Sequence, residues 1–469
     1  MLTTLLRDRS RPSELLSAAV VLAVLALAFL LGQRASPLWL GLLLAAVGGL
    51  LLLARPALGL FALVLAALLL PVEIGTGTEV RLNPVTLLIP AVAALWLLDQ
   101  MRRGRIRVVA SAANRPLLLF LAAGLLSLLV GRATWDSTVP VSNSFLLVQL
   151  AQWAIFAFSA LAFWLTANLI PDEKSLWRLT ALFLLVGGGV ALVRLVPGLG
   201  GWVGQFTTIA FVRASFWVLL AGLAGGQLLW NDRLSTGWRL FLAGALLASL
   251  VYAFVQQQEA ASNWVGLAAV GGVLVWLRFP RLRGPIVALF LILAAIGVIF
   301  PTVYNFAGGD EEWFESGGSR LALIGRVIDV TLRNPVTGLG PAAYRPYANM
   351  TPLVYEHIFW VDPRISSHNN YVDLFAHGGL LGLLLFFWFA AEIARLGARL
   401  RQRYPAGLAA AYVNGVLAVG AGSLVIMLLA DWILPFVYNI GFPGFQASVL
   451  VWLFLGGFVS LERVFHENV

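Results

Sequence analysis

Apolar residues in this chain gather into long unbroken runs rather than the alternating or one-sided patterns of a soluble core. Runs fall at about 15–31, 37–54, 56–71, 85–98, 116–130, 146–169, 176–196, 208–230, 239–255, 262–277, 285–301, 372–392, 407–430 and 444–461. Most approach the roughly 20 residues that a helix needs to cross a bilayer. Only Ala54-Arg55-Pro56 separates 37–54 from 56–71, so those two read either as spans or as a re-entrant pair, and 85–98 is open to the same choice. The pattern predicts an all-α integral membrane protein with about 12–14 transmembrane helices. One large loop, containing short amphipathic helices, interrupts them. Residues 1–301 then carry spans 1–11, residues 302–367 form the loop, and residues 368–469 carry the remaining spans.

Within the loop, Ala307-Gly308-Gly309 and Gly317-Gly318 bracket an acidic patch of Asp310, Glu311, Glu312 and Glu315. From Ser319 to Arg333 the pattern turns helical, and Asn334-Pro335 ends it, because the residue before a proline is driven out of the α region. At 100° per residue, Leu321, Ile324, Ile328 and Leu332 share a stripe, with Arg326, Asp329 and Arg333 roughly opposite. Arg320 falls with the apolar stripe. It either meets an anion on the buried side or snorkels towards lipid headgroups.

Composition agrees with the pattern: 60% of residues are hydrophobic and 11% charged, and the mean hydropathy is +0.89. A soluble domain carries about twice that charge. Positive residues set the orientation. With Met1 in the cytoplasm, the loops holding Arg102, Arg103, Lys174, Arg233, Arg281 and Arg395 lie inside, and the short loops on the other side hold only Arg34, Arg81 and Arg132. Both termini are then cytoplasmic, and 302–367 lies outside. The net charge of +9 therefore reads as contact with anionic membrane lipids, not with nucleic acid. The absence of cysteine excludes disulfides and thiolate chemistry. The arginine-rich start leads into an apolar run with no small-residue cleavage pattern after it, which predicts a retained first helix.

Histidine is the natural general base near neutral pH, and there are four. His466 lies in the tail and His357 in the loop. His368 and His377 stand nine residues apart, about 180° on a helix wheel, so they do not share a face. His368 opens its helix, with Gly379 and Gly382 on nearly the same face, and glycine permits close helix packing there. Read alone, a histidine in this place is a cap or a structural group, and His377 a structural histidine bonded to a neighbouring helix. Arg194 and Arg213 flank the loop from Pro197 to Phe206, where each is either a site residue or an interfacial one. Arginine matches phosphate oxygens in pairs. Asp362, Asp373 and Glu259 show no spacing that singles out a divalent ion. No phosphate loop, His-Glu-x-x-His or Gly-x-Ser-x-Gly pattern occurs, so no metal or cofactor is expected.

Three features stand in order: Ser319-Arg320, then Asn334-Pro335-Val336-Thr337-Gly338-Leu339-Gly340, then His368-Asn369 opening a helix that runs through Gly379 and Gly382. Over about residues 240–400 this resembles the O-antigen ligase and polymerase superfamily. The resemblance implies an inverting, metal-independent glycosyltransferase that moves a glycan from an undecaprenyl-pyrophosphate-linked donor to an acceptor hydroxyl on the outer face of the bacterial cytoplasmic membrane. The acceptor is the lipid A core in a ligase, or a second lipid-linked glycan in a polymerase. The resemblance implies that His368 activates the acceptor. Topology places Arg320, Arg213 and Arg194 with it at the outer leaflet, where they are expected to hold the pyrophosphate, and Asn369, Tyr371 and Asp373 are expected to bind the acceptor or support the site. Tyr344, Tyr347, Tyr355, Trp313 and Trp360 of the loop are expected either to cover the sugars or to anchor at the interface. One departure stands out: where the family has a Ser-Arg pair, this chain reads Ser262-Asn263, which leaves Arg213 or Arg194 to substitute. The competing reading is a transporter or flippase for the same lipid-linked sugars. Repeated halves with matching broken helices would favour it, and none is evident.

Overall fold

A computed structural model describes residues 48–467, apart from 50, 53, 79, 105–106, 307–317, 356–357 and 361–364. The runs 15–31 and most of 37–54, the retained first helix, the acidic patch, Trp313, His357 and Asp362 lie outside the described residues. The same holds for the side chains of Tyr355, Trp360 and His466. Residues up to 58 form one unit and the remainder another; the description that follows concerns the second.

The apolar runs form helices: α1 Leu58–Leu69, α2 Pro84–Arg102, α3 Asn114–Ala133, α4 Phe145–Leu169, α5 Glu173–Arg194, α6 Ala214–Trp230, α7 Thr236–Val251, α8 Ala261–Arg278 and α9 Arg283–Ala295. Then come α10 Ile299–Phe306, the loop helix α11 Gly318–Thr331, and α12 Asn370–Arg403, α13 Gly407–Ile426 and α14 Gly441–Glu467. Two antiparallel pairs, β1 Ile74–Gly75 with β2 Arg81–Leu82 and β3 Leu353–Tyr355 with β4 Ile358–Trp360, are the strands. Among the described residues nine helices are long and apolar enough to cross a membrane; α1 and α6 are shorter apolar helices. The chain is thus an all-α multi-pass membrane protein. Residues 85–98 form a full-length helix, whereas 56–71 yields only the 12 residues of α1, about 18 Å at 1.5 Å per residue. The run 285–301 is two helices, separated near Gly297, whose φ is +70°.

Helices α6 and α14 sit at the centre, where Trp217, Phe183, Trp452 and Phe454 are fully enclosed. With lipid as apolar as the core, small residues let helix backbones approach. Gly222 and Gly226 of α6 face Gly415 of α13 so closely that a Cβ on Gly226 would lie 2.4 Å from the Ala411 carbonyl.

The loop helix α11 corrects the expected face. Its buried stripe is Ser319, Leu323, Val327 and Val330, while Leu321, Ile328 and Leu332 are exposed. Both sides of this helix are apolar, so periodicity marks two stripes and does not tell which of them meets protein. Tyr344 and Tyr347 are likewise buried. Tyr344 stacks between His377 and Phe436. Tyr347 packs on Trp135, and its hydroxyl accepts the Asp136 N–H. Neither is free to cover a sugar, because the loop folds back into the bundle.

The largest departure is in α12, which is broken at Gly379 (φ 63°, ψ −165°). A break within a span exposes backbone groups that lipid cannot satisfy. Here the turn 334–340 fills it: Leu380 N–H donates to the Pro335 carbonyl at 2.9 Å, Leu381 N–H to Val336 at 3.1 Å, and Leu339 N–H to Ala376 at 2.9 Å. Gly338 (φ 75°) and Gly379 meet backbone to backbone, and a Cβ on Gly379 would lie 2.2 Å from the Val336 oxygen. Gly379 therefore serves this junction rather than helix packing along a continuous face. Gly379→Ala adds both a left-handed strain and this clash, at a cost of at least ~2 kcal/mol. Thermal unfolding in detergent is expected to show a clear loss for Gly379→Ala and little for Gly378→Ala, since a Cβ at Gly378 meets nothing within 4 Å.

Candidate active site

Between α13 and α14, residues 427–440 leave the helical state while remaining largely buried. Irregular backbone in such surroundings must find partners, and those partners define the site. Asn370 N–H donates to the Met427 carbonyl at 2.8 Å. Its side chain donates to Leu434 O at 2.7 Å and accepts from Ile433 N–H and Leu434 N–H. Asn369 Nδ2 donates to Leu428 O at 2.9 Å, and Arg320 Nη1 to Leu429 O at 3.2 Å. Gln152 holds the far side through Pro435 O and Val437 N–H.

His368 stands immediately before this anchor. It is not on the helix, as the wheel argument assumed, but two residues ahead of it, with φ at +47°, a region that β-carbon-bearing residues seldom occupy. Asn369 caps α12 by accepting the N–H groups of Tyr371 and Val372. Ser366 Oγ accepts the His368 N–H at 3.4 Å. Ser367 Oγ accepts the Asn369 N–H at 3.1 Å and hydrogen-bonds Asp373 Oδ1 at 2.7 Å. The same carboxylate oxygen receives the Tyr344 hydroxyl at 2.9 Å. Burial pushes the Tyr344 hydroxyl well above its usual range, so it acts as a neutral donor. A buried network thus fixes the turn that carries His368. Burial, and then the Arg320 charge, lower His368 from the usual 6.5 to about 4, leaving the imidazole neutral at pH 7.

The arginines differ in what they join. Arg320 is an electrostatic neighbour of His368. Arg213 lies over the Trp432 ring at 5.7 Å. Burial opposes its charge, and Asp431 beside it restores part of the balance. Asp431 is itself held by Phe436 N–H at 2.7 Å and Asn439 Nδ2 at 2.6 Å. Arg194 lies over Phe211 at 6.0 Å and couples, with Arg213, to Tyr252. It therefore belongs to the Arg213 side of the cluster. Tyr371 donates to Leu424 O at 2.7 Å and stacks on Phe387, so its contacts fasten α12 to α13. His377 is enclosed, its Nδ1 accepting the Ala342 N–H at 3.3 Å; its partner is the turn after Gly340 rather than a neighbouring helix.

Several residues here escaped sequence reasoning. Asp431 was legible as the one acid in Leu428–Phe436, an apolar stretch containing Pro435. Arg345, buried over Tyr438 at 4.3 Å, looks like any solvated loop arginine. Asn263, which stands where an arginine was expected, is buried with its Oδ1 unpaired among the described residues, as are Arg213 Nε, Ser215 Oγ and Trp432 Nε1. No group of three or more His, Cys, Asp or Glu among the described residues could hold a metal ion.

A multi-pass helical bundle with a neutral histidine and arginines gathered on one buried loop defines a membrane protein with an anion-suited polar site. Residues 244–387 match the family model described as O-antigen ligase, which supports the chain's place in the O-antigen ligase and polymerase superfamily and a membrane glycosyltransferase-type role. The match includes Arg320 and His368 and leaves Arg194, Arg213 and Asp431 outside. No curated protein matches the chain.

The His368 shift has a pH consequence. Between pH 6.5 and about 4 the unfolded chain binds a proton that the folded site refuses, so stability falls as pH drops through that window and is level above it. Thermal unfolding from pH 4 to 7.5 is expected to show this fall in the wild type and a smaller one in His368→Gln.

Proposed function

We propose that this protein transfers a glycan from a polyprenyl-pyrophosphate carrier to an acceptor hydroxyl, at the external face of a bacterial cytoplasmic membrane. The observation that carries the reading is the convergence of Arg320, Arg213 and the His368 turn on residues 427–434. Arg320 and Arg213 bring two cations to this segment, where a pyrophosphate leaving group would meet them. Arg320 and Arg213 stabilise the charge that develops on the leaving group, with Arg194 behind Arg213. His368 takes the acceptor proton, the hydroxyl oxygen bonds to the sugar C1, and the C1–O bond to pyrophosphate breaks with inversion.

A histidine lowered to about 4 is a weak base in the free protein. Burial is the larger cause and Arg320 the smaller; the arriving pyrophosphate offsets the Arg320 charge, which raises the imidazole pKa part of the way back and makes it a stronger base when donor is bound. Asn369 and Asp373 act by holding the His368 turn.

The broken helix α12 would suit a transporter, in which broken helices present backbone groups to cargo. At Gly379, however, the turn 334–340 takes up the freed groups, which favours transfer chemistry over transport.

Purified protein, donor and defined acceptors separate ligase, polymerase and transporter by the product formed. We expect His368→Ala to lower kcat by about 10²- to 10⁴-fold, and Arg320→Ala to raise the donor KM about tenfold or more. A wild-type rate in His368→Ala would remove the base assignment. The acid limb of the pH profile is expected at higher pH for kcat than for kcat/KM, and transfer is expected to persist in chelator; a strict metal requirement would sink the mechanism.

A further inference from the structure

The helices that meet at the His368 site come together again at the opposite end of the bundle. There α6, which starts beside Arg213, finishes at Trp230, and α13 sets out from Gly407 towards the 427–440 segment. Two polar cavities lie at this end. The larger, about 710 Å³, holds Lys174 and Arg233 beside Trp177 and Trp238, whose rings meet at 5.7 Å. The smaller, about 370 Å³, holds Arg239 and Arg278, the latter over the buried Trp230 ring at 5.9 Å. Asn231 and Ala406 line both. The wall between them is braced: Asn231 Nδ2 donates to Gln227 Oε1 at 2.8 Å, Asn231 Oδ1 accepts the Arg233 N–H at 3.2 Å, and Arg239 donates to the Asp232 and Leu234 carbonyls, each at 3.2 Å. The acids lining the cavities are Glu173 and Asp232, so four cations against two carboxylates leave two positive charges. None of the four cations is in an ion pair among the described residues.

The smaller cavity has an apolar outlet. Leu228 and Leu229 line it and also line a groove of about 300 Å³, where α6 is flanked by Leu246 and Leu250 of α7 and by Leu267 and Leu274 of α8. From Leu229 to Ala221 this groove follows α6 for about 12 Å. We infer that this end of the bundle binds an anionic phospholipid with two phosphates, one in each cavity, and with an acyl chain in the α6–α7–α8 groove. Basic pockets between spans hold anionic headgroups, and indoles settle at headgroup level. A free phosphate would account for the cations but not for an apolar groove that opens from the same cavity. A lipid with one phosphate would leave one pair of cations unused. The site is independent of glycosyl transfer.

The test is lipid retention by the purified full-length protein in native mass spectrometry, with a tetra-acyl lipid bearing two phosphates, phosphatidylglycerol, phosphatidylcholine and inorganic pyrophosphate as probes. The two-phosphate lipid is expected to bind about tenfold or more tighter than phosphatidylglycerol. Arg233→Gln and Arg278→Gln, one in each cavity, are each expected to weaken it about fivefold, and Arg103→Gln, an equal loss of charge on another loop, to leave it unchanged. A Cβ at Gly271, in the groove, meets nothing within 4 Å, so Gly271→Leu is expected to weaken the long-chain lipid and spare a short-chain form of the same headgroup. Equally tight binding of phosphatidylglycerol or phosphatidylcholine, or unchanged affinity in both arginine variants, would overturn the assignment. Displacement of the lipid by inorganic pyrophosphate at equal concentration would give the cavities to a free phosphate, and equal loss of long- and short-chain forms in Gly271→Leu would remove the groove from the site.

Discussion

The architecture depends on backbone satisfaction at one point, where α12 breaks at Gly379 and the turn 334–340 supplies the missing partners. In lipid a break of this kind cannot be left to solvent. Once the turn is locked into it, the polar insert is no longer an appendage. The helix α11 before the turn is drawn against α12, and the residues after it bring Tyr344 beneath the His368 turn. The two ends of the insert, Arg320 and His368, then meet over a common loop.

That loop solves a second problem with the same means. Residues 427–440 are irregular and largely buried, and their carbonyls and N–H groups are taken by Asn369, Asn370, Gln152 and Arg320. Arg320 gives Nη1 to a carbonyl of the loop. Arg213 by contrast has Asp431 beside it. The two arginines thus meet the loop differently, Arg213 beside an acid and Arg320 at a carbonyl, with Arg320 next to the histidine.

Much of this was legible in the chain. Long apolar runs located most helices, because burial in lipid leaves an unmistakable composition. The Asn334-Pro335 to Gly340 motif and His368-Asn369 were visible as motifs. Their mutual fit was not, since it depends on a helix break that a continuous apolar run conceals. The helix wheel misassigned α11 because an apolar stripe facing lipid and one facing protein read alike, and Leu321 and Leu323 differ only in what lies opposite them. Tyr344 and Arg345 were hidden by lying in a polar segment that folds inward. Asp431 was the missed signal: an acid among apolar neighbours has no reason to be there unless something needs its charge.

The backbone of His368 carries a further implication. No carboxylate among the described residues bonds its imidazole; the ring's place is set by a left-handed backbone that the Ser366, Ser367 and Asn369 contacts maintain. Glycine would occupy that conformation with less strain. Position 368 is therefore a place where folding alone would favour another residue, and the free energy of the fold holds the imidazole in a strained but fixed position.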